Sequence, residues 1–389
     1  MSDTIRKRIR ALALKQETTQ GVDAIAGTPS PSDYVTCRWT VRPVRDLVQN
    51  PGESGAYDDL APIPAGARAE LRIAVPMVGS GTAGQAPEWG KAMKACRMEE
   101  VVTAAAVGAP TAAASGTGTT VTAASPFGTT AQQYRGMAIL LTGNPAAGAV
   151  DVVIDYTTGR VVSLGRTYSP ILSSGTSLQI PTNVLYRPIS DESQEAGLTA
   201  YIYEDGLRHR FLGMKGSWGI GLIAGQPASL VYTLTGMVAA YKEAATMVTN
   251  FVPVTRRPPL WMGGMSQLNR AVADVQSVNF EMGNRSYYTE NPEAPQGYDV
   301  PILTGASPRY TLNPFSRTTR SPARAGAWES GVPMPYAAIW GATAGNRFAL
   351  SCPSAQVTEL GDEERGELGV DSIVLTPDTP NAGAFLCCF

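Results

Sequence analysis

Residues 201–212 read YIYEDGLRHRFL, two strand-like runs flanking Asp205 and Gly206. Asp-Gly tolerates the positive φ angles of a tight turn, so the stretch predicts a β-hairpin. On either side of it a two-residue period recurs. Leu230, Tyr232 and Leu234 alternate with Ser229, Thr233 and Thr235, and Leu71, Ile73 and Val75 alternate with Glu70, Arg72 and Ala74. Val35, Cys37, Trp39 and Val41 alternate with Thr36, Arg38, Thr40 and Arg42, and Val278, Phe280 and Met282 repeat the pattern. A period of two places every apolar side chain of a strand on one face. Burying each is worth roughly 1.5–3 kcal/mol, so each face needs a second sheet or a helix over it. The expected fold is all-β, a sandwich or barrel.

Composition agrees. The chain has 389 residues, enough for two or three structural units with cores of their own. Charged residues are 16%, while 40 glycines and 29 prolines punctuate the chain, the profile of many short strands and turns. A formal net charge of -2 supplies no basic field for phosphates or an anionic membrane. Five cysteines (Cys37, Cys96, Cys352, Cys387, Cys388) match no zinc or disulfide spacing and read as reduced thiols. Arg6, Lys7, Arg8 and Arg10 resemble the basic start of a signal peptide, but the apolar run before Lys15 is too short for one. No run of about 18 apolar residues is present to span a bilayer as a helix, and the protein is expected to be soluble when made.

One helix is expected in APEWGKAMKACRMEE, with Pro87 in its first turn and Trp89, Met93 and Cys96 on one stripe. Residues 103–132 are nearly uncharged and rich in Ala, Gly, Ser and Thr; strand runs and a Thr158-Gly159 turn follow. These features predict a small β domain at 103–186, inserted into a discontinuous core domain of 1–102 and 187–389. Residues 42–67, with Pro43, Pro51, Gly52, Gly55, Pro62, Pro64 and Gly66, read as too irregular for an element and too long for an ordinary connection.

Candidate chemistry is sparse. His209 is the only histidine and reads as a strand residue between Leu207 and Phe211. GIGLIAG at 219–225 has the letters of a dinucleotide fingerprint, but Gln226-Pro227 and a strand follow where a helix would have to open. The acidic run Asp362, Glu363, Glu364 lacks the alternating ligands of a calcium loop and reads as a solvated hairpin tip. No cofactor, metal or catalytic group is expected. Arg256-Arg257 and the group Arg317, Arg320, Arg324 are assigned to loops and to pairing with acidic loops between subunits. AFLCCF at the end is expected to dock in a core or on a neighbour.

Residues 205–237 carry Asp205-Gly206 followed by Gly213, Gly216, Ala224, Gly225, Pro227 and Gly236, a pattern that resembles the tail tube proteins of siphophages, the long flexible-tailed bacteriophages. ALALKQETTQGVDA resembles that family's N-terminal K-x-E-x-T-x-G segment, and VPMVGSGTAGQAPEWGKAMKAC resembles its GSGTAG turn and helix. The resemblance covers residues 1–102 and 187–389, weakening after Tyr288. Residues 118–186, with YRGMAILLTG and IDYTTGRVV, are similar to a small β module inserted into various phage tail proteins, here expected on the outer wall.

What the resemblance implies is a non-enzymatic structural subunit of the virion, assembled in the host cytoplasm. Its sandwich would join five neighbours in a homohexameric ring, and rings would stack around a tape-measure protein into a conduit for double-stranded DNA. Tail terminator and distal tail proteins would close the ends, with no membrane partner. Ring closure pairs the strand edges that so many strands would otherwise expose, and a near-neutral lumen avoids the phosphate contacts that would hold DNA back. Subunit and ring contacts are assigned to Arg42, Arg45, Asp46, Tyr57, Asp58 and Asp59, to the N-terminal arm, and to Phe385, Leu386 and Phe389 at the end. Deleting residues 104–186 is expected to leave assembly intact. The alternatives are a receptor- or carbohydrate-binding fibre module stacking sugars on Trp218, Trp261 and Trp328, and a hydrolase built on His209 or an acidic pair.

Overall fold

The computed structural model describes residues 5–6, 8–146 and 148–389; Lys7 of the basic start lies outside them. The fold is all-β. Eleven strands follow one another across the main sheet in the order Arg38–Val48, Ile63–Pro76, Ser229–Ala244, Leu207–Ile223, Val275–Glu281, Arg309–Pro314, Leu368–Pro377, Phe348–Arg365, Met334–Trp340, Met265–Leu268 and Ala271–Val272.

The predicted hairpin is its centre. Leu198–Glu204 pairs with the start of Leu207–Ile223 across a turn in which Gly206 has φ 96°. Leu207–Ile223 then changes neighbours on that side: residues 207–214 pair with Leu198–Glu204, and residues 219–223 pair with Val275–Glu281. Phe348–Arg365 branches likewise, pairing with Phe385–Cys388 at residues 348–351 and with Leu368–Pro377 from Ala355 on. A strand can pair with only one neighbour at each point on a side, so these branches split the sheet into layers that close over a core. Leu71, Ile73, Leu230, Tyr232, Leu234 and Phe280 are all fully buried there, on the faces expected from the alternation.

Several expectations need correction. Residues 42–67 are not irregular throughout: Arg38–Val48 and Ile63–Pro76 form a long hairpin, leaving only residues 49–62 outside strands. Pro43 lies within the edge strand, where proline is tolerated because its missing N–H can face the open side. The expected helix is a single short one, Gly90–Lys94, although Trp89, Met93 and Cys96 are buried as predicted. A second helix, Ser321–Ser330, occupies a stretch assigned to loop.

The inserted module is a seven-stranded sheet running from Val107–Ala112 to Thr176–Ile180. Its upper boundary moves: Asn183–Pro188 belongs to the main sheet, paired with Met98–Thr103 and Phe385–Cys388. The module's core also includes Met265, Ile339, Phe385 and Phe389 from the body. The two units therefore share an apolar interior. Asp151 lies at this junction, fully buried, accepting hydrogen bonds from Val152 and Gly165 N–H and from the Tyr168 hydroxyl. Burial lifts its carboxyl to about 6, against the opposing pull of Arg166 and those donors.

Candidate assembly surfaces

Two of the three motifs behind the resemblance have reasons inside the chain. Glu17 is buried and accepts hydrogen bonds from Gly21 N–H at 2.7 Å, Gly213 N–H at 2.8 Å and the Thr199 hydroxyl at 3.0 Å. Lys215, 1% exposed, donates to Gln20 at 3.1 Å and Glu195 at 3.3 Å. A buried ammonium persists only with such partners, so this network fastens the chain's start to the central hairpin. The N-terminal segment from Arg10 to Gln16 is itself a strand paired with Leu198–Glu204. At Gly90 a Cβ would collide with the Tyr186 hydroxyl, which donates to Glu100 at 2.8 Å; only glycine fits beside Trp89.

The third motif divides. Gly213, Gly216 and Gly236 are buried, each with a neighbour too close for a Cβ. Ala224, Gly225 and Pro227, by contrast, are exposed in the turn that ends the hairpin. The GIGLIAG letters are thus a strand and a turn, with Gly225 at φ 75° and Gln226 N–H donating to Ile223 O at 3.0 Å.

Of the residues assigned to subunit contacts, Arg42, Arg45, Tyr57, Asp58 and Asp59 are exposed. Arg42 stands opposite Glu70, and Arg45 donates to Ala65 O at 3.3 Å. Asp46 is committed within the chain: it pairs with Arg68 at 2.9 Å and accepts the Tyr298 hydroxyl at 2.9 Å. Arg68 lies over the rings of Tyr288 and Tyr298. This clamp holds the 38–76 hairpin near its loop end. Phe385, Leu386 and Phe389 are 4%, 0% and 3% exposed, docked between the two units. They offer no surface to a neighbour, which corrects their assignment as subunit contacts and accounts for the apolar tail.

Arg317 and Arg320 pair with Asp274 at 2.9 and 2.8 Å, and Arg324 pairs with buried Asp371 at 2.6 Å. These arginines act within the chain, correcting their assignment to intersubunit pairing. Arg256 and Arg257 are exposed. The acidic residues 362–364 lie near the end of a hairpin whose turn holds Gly366 and Glu367. Among the described residues no cluster of three or more His, Cys, Asp or Glu is placed to hold a metal. His209 is 3% exposed, its Nδ1 accepting Lys242 N–H at 3.2 Å and its Nε2 lying 3.5 Å from Glu204. Trp218 and Trp261 are buried, leaving Trp328 as the exposed member of the trio considered for sugar stacking. All five cysteines are free, and burial pushes the thiols of Cys352, Cys387 and Cys388 up to about 12. No helix among the described residues is long and apolar enough to cross a membrane.

The main sheet ends in an open edge. Arg38–Val48 is eleven residues long, and no strand among the described residues pairs with its outer side. Direction of N–H alternates along an antiparallel strand. With the nitrogen of Pro43 outward, the N–H groups of Trp39 and Val41 face outward too. Beyond this edge the hairpin projects, exposing Leu47, Val48, Leu60 and Ile63 at 62%, 55%, 39% and 49%. No protein-family model matches the chain, and the search of curated proteins finds no match.

Proposed function

We propose that this chain is a structural subunit of a hollow tube, of the siphophage tail tube kind, in which copies join side by side into hexameric rings and the rings stack. The observation that carries the reading is the open Arg38–Val48 edge continuing into a projecting apolar hairpin. A long unpaired edge is a template for another strand, and monomeric proteins blunt or cover theirs. Here Pro43 removes one donor, while the outward N–H groups of Trp39 and Val41 remain available. An edge that pairs with a different surface of the next copy makes a heterologous contact, and such contacts form rings when the rotation between copies closes.

The open face of the same sheet supports passage of DNA rather than its capture. Arg42 is matched directly by Glu70, exposed Arg72 shares a row with Thr40, Thr233 and Ser217, and Arg38 shares a row with Val231, Gly219 and Glu281, so the positive charges of this face are largely offset by carboxylates and spaced by neutral groups. Such a face neutralises few phosphates and keeps the counterion-driven affinity low.

Electron microscopy of the purified protein tests the reading. Rings and hollow cylinders are expected at high concentration; discrete monomers at every concentration would reject it, and monomers retained on a glycan surface would favour the sugar-binding alternative.

A further inference from the structure

The strand pairings of the chain occur twice. In its first half, Arg10–Gln16 pairs with Leu198–Glu204, which pairs with the start of Leu207–Ile223. That strand turns back into Ser229–Ala244, which pairs with Ile63–Pro76, which pairs in turn with Arg38–Val48. In its second half, Met265–Leu268 pairs with Met334–Trp340, which pairs with the start of Phe348–Arg365. That strand turns back into Leu368–Pro377, which pairs with Arg309–Pro314, which pairs in turn with Val275–Glu281. The order along the chain matches as well, and in each half a helix, Gly90–Lys94 or Ser321–Ser330, follows the second strand of the outer hairpin. Both outer hairpins extend past the shared sheet, the second through the small ladder of Arg285–Tyr287 and Ile302–Gly305. The body of the chain is therefore one β unit present twice.

The two units join edge to edge. Residues 219–223, on the side that Leu198–Glu204 leaves free, pair with Val275–Glu281, the first strand of the second unit. The second unit has the same free side: Met334–Trp340 pairs with Phe348–Arg365 only as far as Ala355, and no strand among the described residues takes its place along 356–365. The first unit's counterpart of Val275–Glu281 is Arg38–Val48, the other open edge. Six strands lie between the two edges within the chain, so a second copy has to bring them together. The edges also differ in charge. Asp362, Glu363 and Glu364 are exposed on one, beside Glu359, which pairs with Arg309. Arg38, Arg42 and Arg45 are exposed on the other, whose acid, Asp46, is taken by Arg68.

We propose that the free side of residues 356–365 receives Arg38–Val48 of a second copy, repeating between chains the junction made at residues 219–223 within them, so that a ring of six β units holds three chains. The inference rests on the tube reading: the ring stays hexameric in its units and is threefold in its chains. Main-chain hydrogen bonds supply the contact, as in any strand added to a sheet edge. The opposed charges fix which edge is accepted and speed the encounter. Since every junction around the wall, within and between chains, then has the same geometry, a rotation that closes for six units closes for three chains.

Native mass spectrometry of single rings of the full chain counts the copies. A mass of three chains is expected; a mass of six overturns the proposal while leaving the tube reading standing. Two variants altered at exposed positions test the edge itself. Glu363→Lys with Glu364→Lys should raise the protein concentration needed for rings about tenfold, because like charges then meet across the junction. Adding Arg38→Glu and Arg45→Glu to the same chain reverses both edges and should restore the wild-type threshold. Circular dichroism melts confirm folding, with Glu363→Lys alone in reserve should a multiple variant fail to fold. A first variant that assembles as wild type, or a charge-swapped chain that keeps the raised threshold, overturns the pairing of these edges. Wild-type protein that forms no rings overturns the tube reading itself.

Discussion

Replacing residues 104–182 with an Asn-Gly turn yields a protein that is recovered in the insoluble fraction, or melts far below the full chain. The connection itself is easy, because Thr103 and Asn183 are already paired across adjacent antiparallel strands and Asn-Gly closes such a hairpin. The damage comes from what the module covers. Met265, Ile339, Phe385 and Phe389 are at most 6% exposed in the full chain and belong to the module's apolar cluster. Uncovering four large side chains at about 1.5–3 kcal/mol each removes a sum comparable with the whole stability of a typical domain. Adding Ile339→Thr and Phe389→Ser to the shortened chain should return part of it to the soluble fraction. A shortened chain that is soluble and melts within a few degrees of the parent, without those changes, would show that the two units are independent.

The second large effect is expected at Asp371. Its carboxylate is 4% exposed and holds Arg324, 6% exposed, at 2.6 Å, with the Ser316 and Ser321 hydroxyls on its oxygens. Burial pushes this carboxyl up, yet the hydrogen bonds from Ser316, Arg324 and Ser321 outweigh it and hold it below the usual carboxylate range. Asp371→Ala leaves a buried guanidinium without its counter-charge, a change that costs about 3–5 kcal/mol. Urea unfolding should show it as a lowered midpoint. The double variant Arg324→Met, Asp371→Leu should recover most of the loss, because a buried ion pair replaced by apolar groups of similar size is close to neutral. Equal losses in the single and double variants would mean that shape, not the stranded charge, sets the cost.

The legible parts of the fold are those where neighbours in sequence do the specifying. Leu71, Ile73 and Val75, or Leu230, Tyr232 and Leu234, announce a half-buried strand by period alone, and Asp205-Gly206 announces its own turn. The helix Ser321–Ser330 was hidden for the opposite reason. Its sequence, SPARAGAWES, has no apolar stripe, and its buried member is Arg324, held by a partner 47 residues away. The hairpin through Arg38–Val48 was obscured by Pro43 and by glycines and prolines that cluster further along, in the loop. Its loop end is held by Asp46 and Tyr298, separated by 252 positions, which no local pattern reveals.

The candidate surfaces were legible to a similar degree. Tyr57, Asp58 and Asp59 are exposed on the projecting loop as composition implied, whereas Asp46 is half-buried and paired within the chain, and the C-terminal Phe385, Leu386 and Phe389 turn inward. Exposure depends on what the rest of the chain brings over them.

Hydrogen exchange at the Trp39 and Val41 amides, compared between dilute and assembled protein, tests the central claim most directly. Their N–H groups lie on the outer side of the edge strand. Strand pairing between copies predicts fast exchange in dilute protein and at least hundredfold slower exchange once rings form, with buried Leu71 and Leu230 protected in both. Equal, fast exchange at Trp39 and Val41 in both states would contradict it.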